Sequence, residues 1–247
     1  EYRSSDLADG LKLNALKFKQ IKYRSTPLYQ QINDLENKAD ALVEAGDHSA
    51  AAAYYEEATE LQDELNESFP DSPYSLIDRV NELRRKNQTA ASYKLGELIN
   101  TLNFEIDNDL RRRKLLIAKD KILRIADALQ RMDEEFPFSS YNDDSIKLKI
   151  KFLNLIRNDI ELVQDRIYDN LISVPGEPGI RMLKTEVSQA LYSTIVGYNP
   201  SRFVGDLKPV ESVSWNEANA FCERLTWIMG LRVRLPKEHE FRSAIGA

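Results

Sequence analysis

Apolar residues in the first 170 positions recur at spacings of three and four, with short polar segments between the runs. That period belongs to amphipathic helices. The clearest case is Ile146, Ile150, Leu153, Ile156, Ile160, Val163 and Ile167. These residues fall on one stripe of a helix predicted over 143–170, about seven turns long. The stripe is a helical packing seam and needs partners. Helices predicted over 28–45, 48–68, 74–86, 88–107 and 109–135 supply them, preceded by a helical arm over 1–27. Helix breakers are sparse here: the prolines are Pro27, Pro70, Pro73 and Pro137, and the glycines are Gly10, Gly46 and Gly96.

One segment is echoed. Glu67-Ser68-Phe69-Pro70-Asp71-Ser72-Pro73-Tyr74 returns 67 residues later as Glu134-Glu135-Phe136-Pro137-Phe138-Ser139-Ser140-Tyr141. Proline disfavours helical geometry in the residue before it, so each Phe-Pro ends a helix. The Ser or Asp that follows is suited to cap the next one. Ala39, Leu42, Gly46, Asp47, Ala51, Tyr55 and Ala58 resemble a tetratricopeptide hairpin, with small residues where two helices cross and a glycine at the turn. The second copy lacks the glycine and most of the alanines. The pattern predicts an irregular helical bundle over 28–170 with one repeat-like hairpin. Such a bundle serves either as a scaffold or as a partner-binding groove.

The style changes at Leu171. Leu171 to Val174 reads as a strand, Pro175 to Gly179 as turns, and Ile180 to Glu186 as a second strand. Ser188 is placed to cap a helix that runs to Gly197, and 199–208 reads as a loop. A helix from Asn216 to Met229 puts Ala218, Phe221, Cys222 and Leu225 on one face, and Gly230 ends it. Arg232 to Leu235 reads as a strand, with Pro236 opening a last helix at Lys237.

Composition narrows the partners. The net charge of −6 argues against a nucleic-acid surface spread over the whole chain. The runs Arg84-Arg85-Lys86 and Arg111 to Lys114 read first as solvated helix faces, second as contacts for phosphate or an acidic partner. A single cysteine, Cys222, excludes an internal disulfide framework and a four-thiolate zinc site. No segment reaches the roughly 20 apolar residues of a membrane span. The charged and apolar fractions are those expected of a soluble chain. The compartment stays open between cytoplasm and bacterial periplasm, because the chain begins at Glu1 and carries no address label.

Four ordered blocks in the last part form the most specific pattern. They are Met182 through Tyr192, Asn199-Pro200-Ser201-Arg202-Phe203, Pro209 through Trp215, and Arg234-Leu235-Pro236-Lys237-Glu238-His239-Glu240-Phe241. In that order they resemble the opening third of a formylglycine-generating enzyme (sulfatase-modifying factor) domain. The resemblance covers about 75 of the 247 residues. It implies a mixed α and β, C-type-lectin-like fold over 171–247, incomplete here. The fold class expected is therefore α+β, a mainly helical bundle followed by a partial mixed domain. The family's chemistry is copper-dependent oxidation of a sulfatase cysteine, with calcium ligands in the later part of the domain. Copper and calcium are expected only with a complete oxidase domain, and no cofactor is expected for this chain. The departures at Lys237, Phe241 and Arg242, where the family commonly has Thr, Trp and Glu, suit a drifted, non-catalytic member.

Other constellations add little. His239 has only the distant His48 as a second imidazole, too few for a histidine-based metal site. Asp206 and Glu211 are not marked as a catalytic pair. Cys222 and Trp215 read as core residues. The loop with Asn199, Arg202, Phe203 and Asp206 mixes an aromatic, an arginine and small polar residues, and is the candidate contact surface for a ligand or partner. The preferred function is a non-catalytic binding or adaptor protein, with a protein partner at the helical module and a ligand at the lectin-like part. One alternative is a fragment of the copper-dependent oxidase. The other is a structural scaffold of an assembly or envelope. A segment this small also needs support from the helices, from another chain, or from a continuation that completes it.

Overall fold

The computed structural model describes residues 2–246, with side chains from residue 11 onward. Glu1 and Ala247, the outer ends of the predicted arm and of the predicted mixed domain, lie outside the described residues. The protein is mostly helical with one small two-stranded sheet. Helices α1 (Tyr2–Glu44), α2 (His48–Ser68), α3 (Ile77–Ala91), α4 (Tyr93–Arg111), α5 (Leu115–Glu135), α6 (Asp144–Leu155) and α7 (Ile160–Tyr168) come first. Strands β1 (Leu171–Ser173) and β2 (Arg181–Leu183) pair antiparallel, with Ile172 opposite Met182. Then follow α8 (Gln189–Val196), α9 (Trp215–Met229) and α10 (Glu238–Ile245). Two compact units are present, one of residues 1–97 and 130–143, the other of 98–129 and 144–247. The predicted division at residue 170 therefore falls inside the second unit.

The echo is larger than eight residues. Helix α5 has the bounds of α2 moved by 67 residues, α6 begins 67 after α3, and α4 ends 67 after α1. The core positions move with them. Ile32 and Ile99, Leu35 and Leu102, Ala51 and Ala118, Tyr55 and Ile122, Leu65 and Met132, and Leu83 and Ile150 are all buried. Even the turns agree: Gly46 has φ +83°, and Arg113, 67 later, has φ +57°. A non-glycine residue there carries a steric cost of about 1–2 kcal/mol, accepted to keep the same hairpin geometry.

The Phe-Pro segments have a different role from capping. The N-cap of α3 is Leu76, which makes no side-chain cap bond. Instead Ser72 and Ser139 close the turns. Each backbone N–H bonds the preceding phenylalanine carbonyl, at 2.9 and 3.0 Å. Each hydroxyl accepts from the tyrosine N–H two residues on, at 3.2 Å in both copies. Each hydroxyl also pairs with a buried serine 47 residues back, Ser25 at 2.8 Å and Ser92 at 2.7 Å. Tyr29 stacks on Tyr74 with centroids 4.1 Å apart. At the equivalent of Tyr29 stands Gly96, and the Tyr141 ring lies where a Cβ would be. Glycine is there for the close approach, not for φ.

Three expectations are corrected. Pro27 does not separate an arm over 1–27 from the bundle, because α1 is continuous through it. Proline removes one backbone donor, and Ser25 and Thr26 hydroxyls bond the carbonyls of Ile21 and Lys22 at 2.9 and 2.7 Å in the turn before it. The single helix over 143–170 is two, α6 and α7, joined by a turn in which the Asp159 N–H bonds Ile156 carbonyl at 2.8 Å. Ile150, Leu153, Ile156, Ile160, Val163 and Ile167 are buried on both sides of this break, whereas Ile146 is only half-buried. Burial of that stripe thus continues across a helix break that spacing alone does not reveal. Arg232 to Leu235 is not a strand, since none of its residues pairs with one among the described residues.

The second unit holds the mixed segment against helices. Gln164, fully buried, donates to Leu110 carbonyl (3.1 Å) and Ile228 carbonyl (2.8 Å), the C-terminal ends of α4 and α9. Arg111 donates to Gly230 carbonyl at 3.0 Å. Phe152 of α6 faces Trp227 of α9 at 5.6 Å and lies under the Arg224 guanidinium at 5.5 Å. Arg224 also donates to the carbonyls of Ile195 and Val196, which ties α8 to α9.

Candidate functional site

The site expected at residues 199–206 is a surface loop whose backbone is held from beneath. Helix α8 starts at the Ser188 cap, whose hydroxyl accepts from Leu191 N–H at 3.3 Å. Its first residue, Gln189, is 2% exposed. The Gln189 amide nitrogen donates to the carbonyls of Phe203 and Pro209, both at 3.1 Å. Its oxygen accepts from Asn199 Nδ2 (2.9 Å) and Gly205 N–H (3.0 Å). One side chain therefore satisfies four groups of the loop, its full hydrogen-bonding capacity. Asn199 Oδ1 accepts from Ser201 N–H at 3.1 Å.

Glu211 holds the other side. One carboxylate oxygen accepts from the N–H groups of Arg202 and Phe203, and the other accepts from Ser212 hydroxyl at 2.5 Å. These bonds, Ser212 first, hold its carboxyl below the usual carboxylate range. The Asp206 carbonyl takes the Ala190 N–H at 3.1 Å, so Asp206 contributes its backbone while its side chain stays exposed. Arg202 is exposed as well.

What this frame presents is apolar. Phe203 is 74% exposed, Val204 72% and Leu207 93%. Burying such side chains on a partner is worth about 1.5–3 kcal/mol each, so leaving three in water on a fixed loop is unfavourable unless something covers them. Trp215 joins this exposed set at 72%, which corrects its assignment to the core. Burial fades along α9 towards its start: Cys222 is buried, Ala218 half-buried, and Trp215 is the first helical residue after the Ser214 cap. Glu217 completes that capping box and also accepts from Tyr198 hydroxyl at 2.9 Å, which pushes the Tyr198 phenol up to about 12.

Sequence reasoning weighs Glu211 only as half of a catalytic pair and does not name Gln189 as a site residue. A signal for Gln189 was present: an amide directly after a serine cap, at the head of the apolar run Ala190-Leu191-Tyr192. Nothing in the sequence pairs it with a loop 10 to 20 residues on.

The Arg234-Leu235-Pro236 block makes a second fixed element. Arg234 forms a two-pronged pair with Glu240, and Glu240 accepts the Lys237 N–H at 2.7 Å. Lys237 itself supplies no cap, so Glu240 alone fastens the start of α10. The Arg234 hydrogen bonds, then the Lys237 amide, push the Glu240 carboxyl down to about 2. Its folded value lies below the ordinary 4.5, so its contribution to stability is complete above pH 4.5 and is lost as pH falls towards 2. Melting curves of the wild type and Glu240→Gln should differ above pH 4.5 and converge near pH 2. A difference independent of pH would show that the charge is not what matters.

Among the described residues no cluster of three His, Cys, Asp or Glu side chains is suited to a metal ion. Cys222 is buried on α9, and burial pushes its thiol up. A lone protonated thiol does not fit a two-thiolate copper centre, and no step is derived through copper. His239 stands 3.4 Å from Glu177, at the surface. Among the described residues no helix is long and apolar enough to cross a membrane. No family model matches this chain, and no curated protein or solved structure compared with it matches either.

Proposed function

We propose that this protein is a non-catalytic binding or adaptor protein, with the loop over 199–211 as a recognition surface of its mixed segment and the helical repeats docking a protein partner. The observation that carries the reading is the combination at the loop: Phe203, Val204 and Leu207 exposed, on a backbone fixed by a buried glutamine and a bonded glutamate. Rigid apolar tips lose little conformational entropy on binding, which favours recognition over mobility. The partly lectin-like character expected from the sequence blocks agrees with a ligand displayed or read at loops.

Photo-crosslinking tests this. A benzophenone side chain at Leu207 is expected to give one discrete adduct in an extract of the source cells, and the same group at the exposed Glu223 is expected to give none. The adduct should vanish when Phe203→Ser and Val204→Ser are added. Equal, diffuse labelling from both positions would overturn the reading. Copper-dependent oxidation of a cysteine-containing sulfatase peptide by the protein would instead favour the oxidase alternative.

A further inference from the structure

Helix α3 is seated on the α1–α2 hairpin by five side chains. Arg79 donates to Asn33 (2.7 Å) and Glu36 (2.5 Å). Val80 and Leu83 are buried, Leu83 in one cluster with Ile32, Leu35, Ala51 and Ala58. Lys86 donates to Glu36 (2.8 Å) and Asp40 (3.1 Å), and Asn87 donates to Ala52 carbonyl at 2.7 Å. The same chemistry in the same order stands 67 residues earlier on α1: Lys12, Leu13, Leu16, Lys19 and Gln20. There the stripe faces outward, with Leu13 53% and Leu16 63% exposed.

We propose that this stripe is the seat for a helical hairpin of the α1–α2 kind carried by a separate polypeptide. Its first helix would present two acids four residues apart, as Glu36 and Asp40 do, and its second helix small residues, as Ala51 and Ala58 do. The proposal deepens the reading above by giving the helical module's partner a chemistry, and its test leaves the 199–211 loop untouched.

Charge and geometry select this occupant. Lys17, Lys19 and Lys22 stand around the stripe with no acid among residues 11–24, so an acidic covering surface complements them. A lipid surface asks for one apolar face. Here Leu11, Phe18 and Ile21 fall on one side of the helix and Leu13, Leu16 and Tyr23 on the other, with lysines between them. A second copy is disfavoured twice: it sets like charges against each other, and its own Glu36 and Asp40 are already taken by Arg79 and Lys86. A hairpin seated here is not joined to α1 by the loop that joins α2 to α3. Where 69–76 links α2 to α3, the equivalent positions 2–9 are helix.

The test uses the full chain and, as probe, a synthetic hairpin of residues 25–74, stapled, labelled and shown to be helical by circular dichroism. Saturable binding is expected by fluorescence anisotropy. Leu16→Asp should weaken it at least about tenfold, since it replaces a buried apolar contact by a charge. Lys19→Glu should do the same, and a probe carrying Asp40→Lys should restore binding to that variant alone. Both substitutions lie on an exposed face, so the fold is kept. Binding that ignores both variants, or no binding by a helical probe, overturns the proposal. So does Leu16-dependent self-association, or Leu16-dependent attachment to phosphatidylserine vesicles, without hairpin binding.

Discussion

Replacing Gly230 with alanine is expected to cost more than about 3 kcal/mol, enough to lower the melting temperature of a chain this size by roughly 10 °C. Two effects add. Gly230 ends α9 with φ +61°, where an L side chain is strained by about 1–2 kcal/mol. The larger effect is contact. A Cβ there would drive into Asp107 carbonyl oxygen and sit 2.9 Å from the Arg111 amide nitrogen, both backbone atoms of α4. The helices would have to separate, which also breaks the bonds of Gln164 and Arg111 at the same junction. Gly197→Ala separates the two effects. That glycine ends α8 at φ +93° with open space around it, so only the conformational cost of about 1 kcal/mol should appear. Thermal melts of the two variants should therefore differ severalfold in shift. Equal shifts would show that the α4–α9 approach is not the determining contact.

Gln189→Ala is the second large effect, near 3 kcal/mol. Truncation leaves the carbonyls of Phe203 and Pro209 and the N–H groups of Asn199 and Gly205 without the partner they have now. Solvent can reach some of them, which limits the total to about 3 kcal/mol, the upper end of the usual 1–3 kcal/mol for one buried orphan group. Hydrogen exchange should rise across residues 201–210 and stay unchanged in α4 and α6. The Leu207 crosslink should weaken with it, because the tips would no longer be held in one arrangement. Gln189→Glu keeps the acceptor and loses the donor, so protection at Gly205 should outlast that of the rest of the loop. Uniform exchange across the whole chain would mean that Gln189 supports the fold as a whole and not the loop.

The parts of the fold legible in the sequence are those decided locally. Ser188 caps α8, Gly197 ends it and Gly230 ends α9, because a hydroxyl or a missing Cβ acts on its own backbone. The echo of Phe69-Pro70 in Phe136-Pro137 was legible for the same reason, as both end helices. The full 67-residue repeat was not. Gly46 gives way to Arg113 at the turn and Tyr29 to Gly96 under the ring, and both exchanges conserve geometry while changing chemistry. Pro27 does not end α1, because a proline's helix-breaking tendency is a local average and the Ser25 and Thr26 hydroxyls bond carbonyls of the turn before it. The loop over 199–208 could be placed, and its exposed residues Arg202, Phe203 and Asp206 named. Its support could not be seen, because Gln189 and Glu211 reach it across the fold.

The amide of Gln164 has a consequence for anyone cutting this chain into fragments. It joins the carboxyl ends of α4 and α9, one from the repeat region and one from the segment whose blocks suggested a domain of its own. A cut at residue 170 would leave that amide facing water on one fragment and the Gly230 notch empty on the other. Domain borders drawn from motif boundaries would thus slice through a shared interior. The smallest piece worth expressing is one that keeps α4 and everything from α6 to α10 on the same polypeptide.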